Sequence, residues 1–339
     1  MSVTVITGGK IVTPKGILSG SSILIREGTI QEISPNKAVD IPQGAKQIAA
    51  NGMFILPGLI SLHSSFLEKE LFPRTGVEFP IERALIQGDR VMAASGIVEA
   101  YHTVRLTLKA SGLSLEGAEA IASSQKRGNL LCMHRLHFIG DEATLPVPRS
   151  FAHSGNLLST VPRQDPGNNK AETGLSFLIQ EMHPSNNREY SSVARVGSPP
   201  EFSATFRVLH GPSSAREAKS IGAIIIARVP YLVGSPSDKP LEEAFTEGLV
   251  DLCVADCYAP SLLYAAFHLD RLGVMPLHEA VGLASRTPAQ VLGKENVEGS
   301  LEVRKVANLC LVELWEGIPR VVKAIIRGEL VFSAESLNS

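Results

Sequence analysis

The stretch Phe54-Ile55-Leu56-Pro57-Gly58-Leu59-Ile60-Ser61-Leu62-His63-Ser64-Ser65 constrains this chain more than any other, because two apolar runs are broken only by a Pro-Gly pair. Proline presets φ and glycine takes conformations closed to other residues, so the pair marks a corner. The pattern predicts one strand ending, a tight corner, and a buried strand beginning, with His63 near the end of the second strand.

The chain changes style on either side of this corner. Residues 3–50 carry short β-rich runs at Val3–Ile6, Lys10–Val12, Ser22–Ile25 and Thr29–Ile33, separated by turn signals at Gly8-Gly9 and Glu27-Gly28. The far end matches: Ala307–Leu314, Val321–Ile326 and Glu329–Phe332 are strand-like, and Arg327-Gly328 reads as a hairpin turn. Residues 1–56 and 301–339 are therefore expected to build one small β-sandwich. Residues 57–300 alternate apolar runs with helical patterns, which argues for βα units and a parallel sheet. Strands are expected at Ile97–Val104, Leu130–Phe138, Leu157–Val161, Ala204–Leu209, Ile221–Ala227 and Leu249–Ala255. Helices are expected at Leu115–Gln125, Ser214–Ser220, Leu241–Glu247, Ser261–Leu272 and Leu277–Ala284. A span of roughly 245 residues suits a (β/α)8 TIM-type barrel, about 250 residues in the usual case. Residues 183–203, dominated by Ser, Asn, Pro and Gly, predict a surface excursion with no catalytic role.

Hydrophobic residues at 44% and charged residues at 19% describe a soluble globular chain, and aromatics at 5% leave the core to Ile, Leu, Val and Ala. A net charge of −2 and a pI near 6.5 give no global reason to expect nucleic-acid or membrane binding. Met1-Ser2-Val3-Thr4-Val5 lacks a signal-peptide pattern, and the apolar run from Gly222 to Gly234 is interrupted by Arg228 and Pro230. Cys132, Cys253, Cys257 and Cys310 form no Cys-x-x-Cys pair and lie in apolar contexts. A cytoplasmic protein with reduced, buried thiols is the expectation.

Four segments carry a resemblance. The first is Leu56 to His63 followed by Leu67, Lys69, Pro73-Arg74, Val77 and Pro80; the second is Gln125-Lys126-Arg127-Gly128 leading into His134-Arg135-Leu136-His137. The third runs from Gly248-Leu249-Val250-Asp251-Leu252 through Ala255-Asp256-Cys257-Tyr258 to Ser261-Leu262-Leu263 and Ala265-Ala266-Phe267; the fourth is Thr287 to Gly293 with the closing strands. The chain resembles the metallo-dependent amidohydrolase superfamily, and within it the phosphonate-utilisation branch of ribosyl methylphosphonate triphosphate diphosphatases. The resemblance implies a His-x-His or His-x-Asp metal pair on the first barrel strand, where i and i+2 share a face. It also implies a last-strand Asp, here Asp256, that binds metal and takes the proton of the attacking water. Several family positions are substituted. Ser65 stands at the second first-strand ligand, Met133 before the His-Arg-Leu-His run, and Gln164 in place of a family His.

Against this background His63, His137 and Asp256 are the candidate metal ligands, and Asp256 is also the candidate catalytic base. His134 and His137 lie three apart and face opposite sides of an extended strand, so at most one lines the pocket; His137 is preferred, with ring packing or a backbone hydrogen bond as the alternative. His102, His134 and His210 could complete a rewired single-ion site, since imidazoles with a carboxylate suit zinc; the alternative is unrelated loop histidines. Lys69 and Arg74 match the branch's anion-handling stretch, with Glu68, Glu70 and Glu78 alongside as neutralising neighbours.

Two readings of function stay open. One is a divergent hydrolase that attacks a small phosphate- or phosphonate-bearing metabolite with water and at most one divalent metal, zinc before others, with no binuclear centre. The other is a catalytically inactive homologue that binds an anionic metabolite or serves as a subunit. The resemblance implies a homodimer and no nucleic-acid or membrane partner.

Overall fold

The computed structural model describes residues 3–35, 41–105, 113–140, 157–160, 175–182, 202–208, 212–220, 222–234 and 238–337. The chain divides into two compact units, Met1–Ile60 with Asp89–Val98 and Ala259–Ser339, and Ser61–Gly88 with Glu99–Tyr258.

In the first unit the two chain ends share one sheet. Its N-terminal strands are β1 (Val3–Thr13), β2 (Gly16–Arg26), β3 (Thr29–Ser34), β4 (Lys46–Ala49) and β5 (Phe54–Pro57). The second sheet begins with β6 (Leu59–Ser64) and continues through β7 (Ile97–Arg105), β8 (Met133–Gly140), β9 (Leu157–Thr160), β10 (Leu175–Met182), β11 (Phe202–Val208), β12 (Ala223–Arg228) and β13 (Leu252–Val254). The chain then returns to the first sheet with β14 (Leu309–Trp315), β15 (Ile318–Ile326) and β16 (Glu329–Ser333). Antiparallel pairing of β14 with β5 joins the two ends, in the order β16-β15-β14-β5-β1-β2-β3 with β4 beside β1. The core of this sheet is aliphatic, with Ile6, Ile11, Ile23, Ile55, Leu309 and Leu311 all fully buried. Each such side chain stabilises the fold by about 1.5–3 kcal/mol relative to exposure.

Gly8-Gly9 is no turn. β1 runs through it as one strand, and the pairing with β2 shifts register between Ile6, Gly9 and Ile11. Gly8 takes a φ of +77°, so the backbone absorbs the irregularity as a bulge instead of reversing.

The hairpin signals have a clear cause. Glu27 and Gly28 have φ of 51° and 77°, and Arg327 and Gly328 have 52° and 80°. Positive φ at both central residues is the mark of the two-residue turn whose twist matches antiparallel strands. These two tips touch: a Cβ on Gly28 would lie 2.7 Å from the carbonyl oxygen of Arg327. Ala307 stitches them, donating its N–H to Gly28 O at 2.8 Å and accepting from Gly328 N–H at 3.0 Å. Gly28→Ala therefore combines left-handed strain with a backbone clash, and should cost about 2–4 kcal/mol in urea unfolding. An exposed positive-φ glycine with open space around it, Gly52→Ala, should cost only the strain.

The helices are α1 (Phe66–Leu71), α2 (Ile81–Ala94), α3 (Leu115–Arg127), α4 (Pro212–Ser220), α5 (Pro230–Val233), α6 (Lys239–Thr246), α7 (Ser261–Arg271), α8 (Leu277–Gly282) and α9 (Arg286–Val291). Ser114 caps α3 by accepting from Gly117 N–H, and Gly128 ends it in the left-handed region. One face of the second sheet packs on α1, α2 and α3, with Val104, Leu136 and Phe138 against Leu67, Leu71, Leu85 and Ile121. Among the described residues no helix is long and apolar enough to cross a membrane.

The second sheet departs from the all-parallel expectation. Its order is β13-β12-β10-β11-β9-β8-β7-β6, and β10 runs antiparallel to both β11 and β12. Parallel neighbours need a crossover connection, whereas antiparallel ones do not. The segment expected to be a surface excursion falls between β10 and β11. Residues 183–201 lie outside the described residues, while Phe202 and Ser203 already belong to β11. The two ends of the sheet order also meet: Ser64 and Asp256 form a parallel bridge, Ser65 N–H donates to Asp256 O at 2.7 Å, and Asp256 N–H donates to His63 O at 3.2 Å.

Candidate active site

That bridge brings together residues 192 positions apart in the chain. Ser65 follows β6 directly and stands at the start of α1, where a serine would ordinarily cap the helix. It makes no cap; its hydroxyl donates to Asp256 Oδ1 at 3.2 Å. The His63 Nε2 lies 3.9 Å from the same carboxylate oxygen, and Arg228 Nη1 lies 3.9 Å from Oδ2. Asp256 holds a φ of 47°, rare for a residue with a side chain, at the point where the chain leaves β13. The backbone beneath is braced by Ser61, whose hydroxyl donates to His63 O at 3.0 Å and accepts from Ala255 N–H at 3.0 Å.

Strand alternation sorts the histidines. On β7 and β8, Thr103 pairs with His137. Thr103 Oγ1 lies 3.4 Å from His63 Nδ1, and the His137 ring meets the His63 ring edge-on at 5.5 Å. His63, Thr103 and His137 thus share the face that carries Asp256. Burial, with the nearby His63, lowers the His137 pKa to about 3, offset in part by a hydrogen bond with the Leu62 backbone. His137 is a neutral imidazole at physiological pH.

His102 and His134 occupy the opposite, helix-packed face. His102 Nε2 is 2.8 Å from His134 Nδ1, and the His102 ring meets Phe66 edge-on at 5.4 Å. Neither can join an ion held at His63 and Asp256, because adjacent residues on a strand point to opposite faces. Burial, then the neighbouring His134, holds the His102 pKa well below the usual imidazole value. His210 lies outside the described residues.

Lys69 is exposed on α1, and its charge reaches the Cys257 thiol. Burial first and Asp256 second push that thiol up, while Lys69 and Arg228 pull it down. Cys257 is only half-buried, unlike the other three cysteines. Arg74 is exposed in a local bridge with Val77, and among the described residues no contact joins it to Asp256.

Sequence reading missed Arg228 and Glu99. Arg228 is 7% exposed at the end of β12, with its guanidinium 5.0 Å over the Tyr231 ring. Its signal was available: a charged residue ending the apolar run Ala223–Ala227 is the same cue that marks Asp256. Glu99, 3% exposed, accepts from Tyr101 Oη and Arg135 Nε, each at 3.3 Å, on the face shared with Thr103.

The donors were tested against a metal centre. Zinc needs three or four ligands at about 2.0–2.3 Å. His63 and Asp256 converge, but Ser65 supplies a hydroxyl already given to Asp256, and a guanidinium flanks the other carboxylate oxygen. Among the described residues no group of three or more His, Cys, Asp or Glu is arranged to hold an ion. The described residues do not fit the metal site that the resemblance implies.

No family model matches the chain. It is 26% identical to the alpha-D-ribose 1-methylphosphonate 5-triphosphate diphosphatase of Escherichia coli (strain K12), over an alignment of 389 positions covering 97% of this chain and all of the relative. An alignment of that length leaves at least 50 positions where the relative has a residue and this chain has none. Among solved structures, the chain is similar to the β-aspartyl dipeptidase of Fervidobacterium islandicum AW-1, with a TM-score of 0.61, 12% identity, and 99% of this chain and 98% of that one covered. It is likewise similar to Escherichia coli guanine deaminase, with a TM-score of 0.59, 12% identity, and 99% and 100% covered. The N-acetylglucosamine-6-phosphate deacetylase of Pasteurella multocida gives a TM-score of 0.52 at 14% identity, with 97% and 99% covered. These structural neighbours are amidohydrolase-superfamily members, and the sequence relative is a ribosyl methylphosphonate triphosphate diphosphatase.

Proposed function

We propose, with the chain's kinship to the amidohydrolase superfamily as premise, that it is a divergent hydrolase acting on a small phosphate- or phosphonate-bearing metabolite at the sheet face around Asp256. One observation carries this reading: His63, His137, Arg228 and Asp256 converge on one sheet face at the point where its first and last strands meet. Active sites of barrel enzymes are built at the C-terminal ends of the strands. The closing Ser64–Asp256 bridge supports a closed barrel of the (β/α)8 type, modified at β10, and the shared end sheet supports a small β-sandwich.

In the proposed reaction, water attacks a phosphoanhydride phosphorus, its proton passes to Asp256, and the bond to the bridging oxygen breaks with the electron pair leaving on the departing phosphate. Asp256 is held for this by Ser65 on Oδ1. Lys69, exposed on α1, faces incoming anions; Arg74 is a weaker candidate on its placement.

A second reading, a binding protein without turnover, is favoured by the same carboxylate. Ser65 and Arg228 both engage Asp256, and an acid so occupied is a poorer base. The test is release of pyrophosphate from a ribosyl alkylphosphonate triphosphate by the full chain, with chelator and with added zinc. Turnover above that of an Asp256→Asn control supports the hydrolase. Saturable binding of the intact compound with no release supports the second reading. Its assembly is proposed to be a homodimer and its compartment the cytoplasm, testable by light scattering and by fractionation.

A further inference from the structure

Arg228 is a guanidinium placed where the chain had to accommodate a buried charge. Its side chain is about nine-tenths buried at the end of β12, an environment that penalises a cation unless charge and contacts compensate. Compensation comes from Asp256 Oδ2 at 3.9 Å from Nη1 and from the face of Tyr231 at 5.0 Å. The carboxylate is divided between its partners. Ser65 and His63 address Oδ1, and Arg228 addresses Oδ2.

The guanidinium lies between the ring of Tyr231 and the carboxylate of Asp256, and a planar fork is the form in which arginine recognises phosphate and phosphonate oxygens. An N···O distance of 3.9 Å is an ion pair outside hydrogen-bond reach, so Asp256 orients the fork without clamping it. A divalent ion held by His63 and Asp256 would lie within a few ångströms of this fixed positive charge and be repelled by it.

We propose that Arg228 is the resident cation of the Asp256 cluster, receiving the phosphate or phosphonate group of the ligand at the place where the superfamily would put a metal ion. The inference rests on the reading of this cluster as the functional site, and adds the group that recognises the ligand. Anion binding is then independent of divalent metal. Asp256 competes with the anion for the guanidinium, so removing its charge strengthens binding while removing the base.

Calorimetric titration of the full chain with inorganic phosphate and, separately, with methylphosphonate tests this, first in EDTA and then with added zinc. Saturable binding in EDTA, changed less than twofold by zinc, is expected. Arg228→Gln should weaken it at least tenfold, Arg228→Lys should restore part of it, and Asp256→Asn should tighten it severalfold. Preference for one of the two probes identifies the anion. Binding that needs zinc, an Arg228→Gln affinity equal to that of the unaltered chain, or no binding of either anion in EDTA overturns the proposal. Far-UV circular dichroism checks the folding of Arg228→Gln. Should that variant unfold, Asp256→Asn decides, because unchanged or weaker anion binding in it also overturns the proposal. Anion binding without pyrophosphate release would defeat the hydrolase reading and leave this inference standing.

Discussion

Asp256→Asn is expected to lower the rate of pyrophosphate release by about 10²–10⁴-fold, the range that a single positioned general base supplies. Asparagine nearly matches aspartate in shape, so its side-chain oxygen still accepts from Ser65, which sits 3.2 Å away. The positive φ of 47° at this position is also tolerated by asparagine better than by most residues. The substitution thus removes charge and basicity with little effect on the fold. KM should fall together with kcat, since the guanidinium of Arg228 loses its internal competitor. Steady-state kinetics give both quantities in one experiment. A parallel fall of kcat with a rise in KM would mean that Asp256 holds substrate and does not activate water.

Acidification from pH 6.5 to 4.5 is expected to cost the folded protein about 2–3 kcal/mol through His137 alone. The sign follows from linkage. His137 is held at about 3 in the fold, mainly by burial, against an ordinary value near 6.5 in the unfolded chain. Above pH 6.5 the imidazole is neutral in both states and contributes nothing. As pH falls below 6.5, the unfolded chain takes up a proton that the folded chain refuses, and stability drops by about 1.4 kcal/mol per pH unit. His102, also depressed by burial, acts in the same direction over the same window. Carboxylates stabilised in the fold lose their contribution only below their unfolded values near 4.3, so this window belongs to the histidines. Urea unfolding at half-unit pH steps gives the slope directly. His137→Leu should flatten it by about one proton's worth, and an unaltered slope would show that the ring is not buried and neutral in solution.

The hairpin turns, most strand and helix positions and two residues of the candidate site were legible in the chain itself. Glu27-Gly28 and Arg327-Gly328 demand positive φ by residue type, and the structure uses both as two-residue hairpins. α3 was readable from its amphipathic run and closes on Gly128. His63 and Asp256 stood out as polar residues ending apolar runs, and they lie 3.9 Å apart. All of these are local signals, fixed by a few neighbouring residues and by backbone sterics.

Gly8-Gly9 shows where local chemistry stops. The same dipeptide suits a turn or a bulge, and pairing with β2 on both sides of it decided for the bulge. Likewise, only the assembled sheet settles that β10 inserts antiparallel between β11 and β12. The site follows the same division. That a charge ends β12 is written in the sequence, but that Arg228 faces Asp256 depends on β12 lying beside β13, and that Ser65 bonds the same carboxylate depends on a strand end 191 residues away. Strand neighbours are chosen by burial and backbone pairing summed over whole elements, which no window of sequence contains. His63 and Asp256 could be picked out one by one as candidates; the company they keep was decided by the tertiary structure.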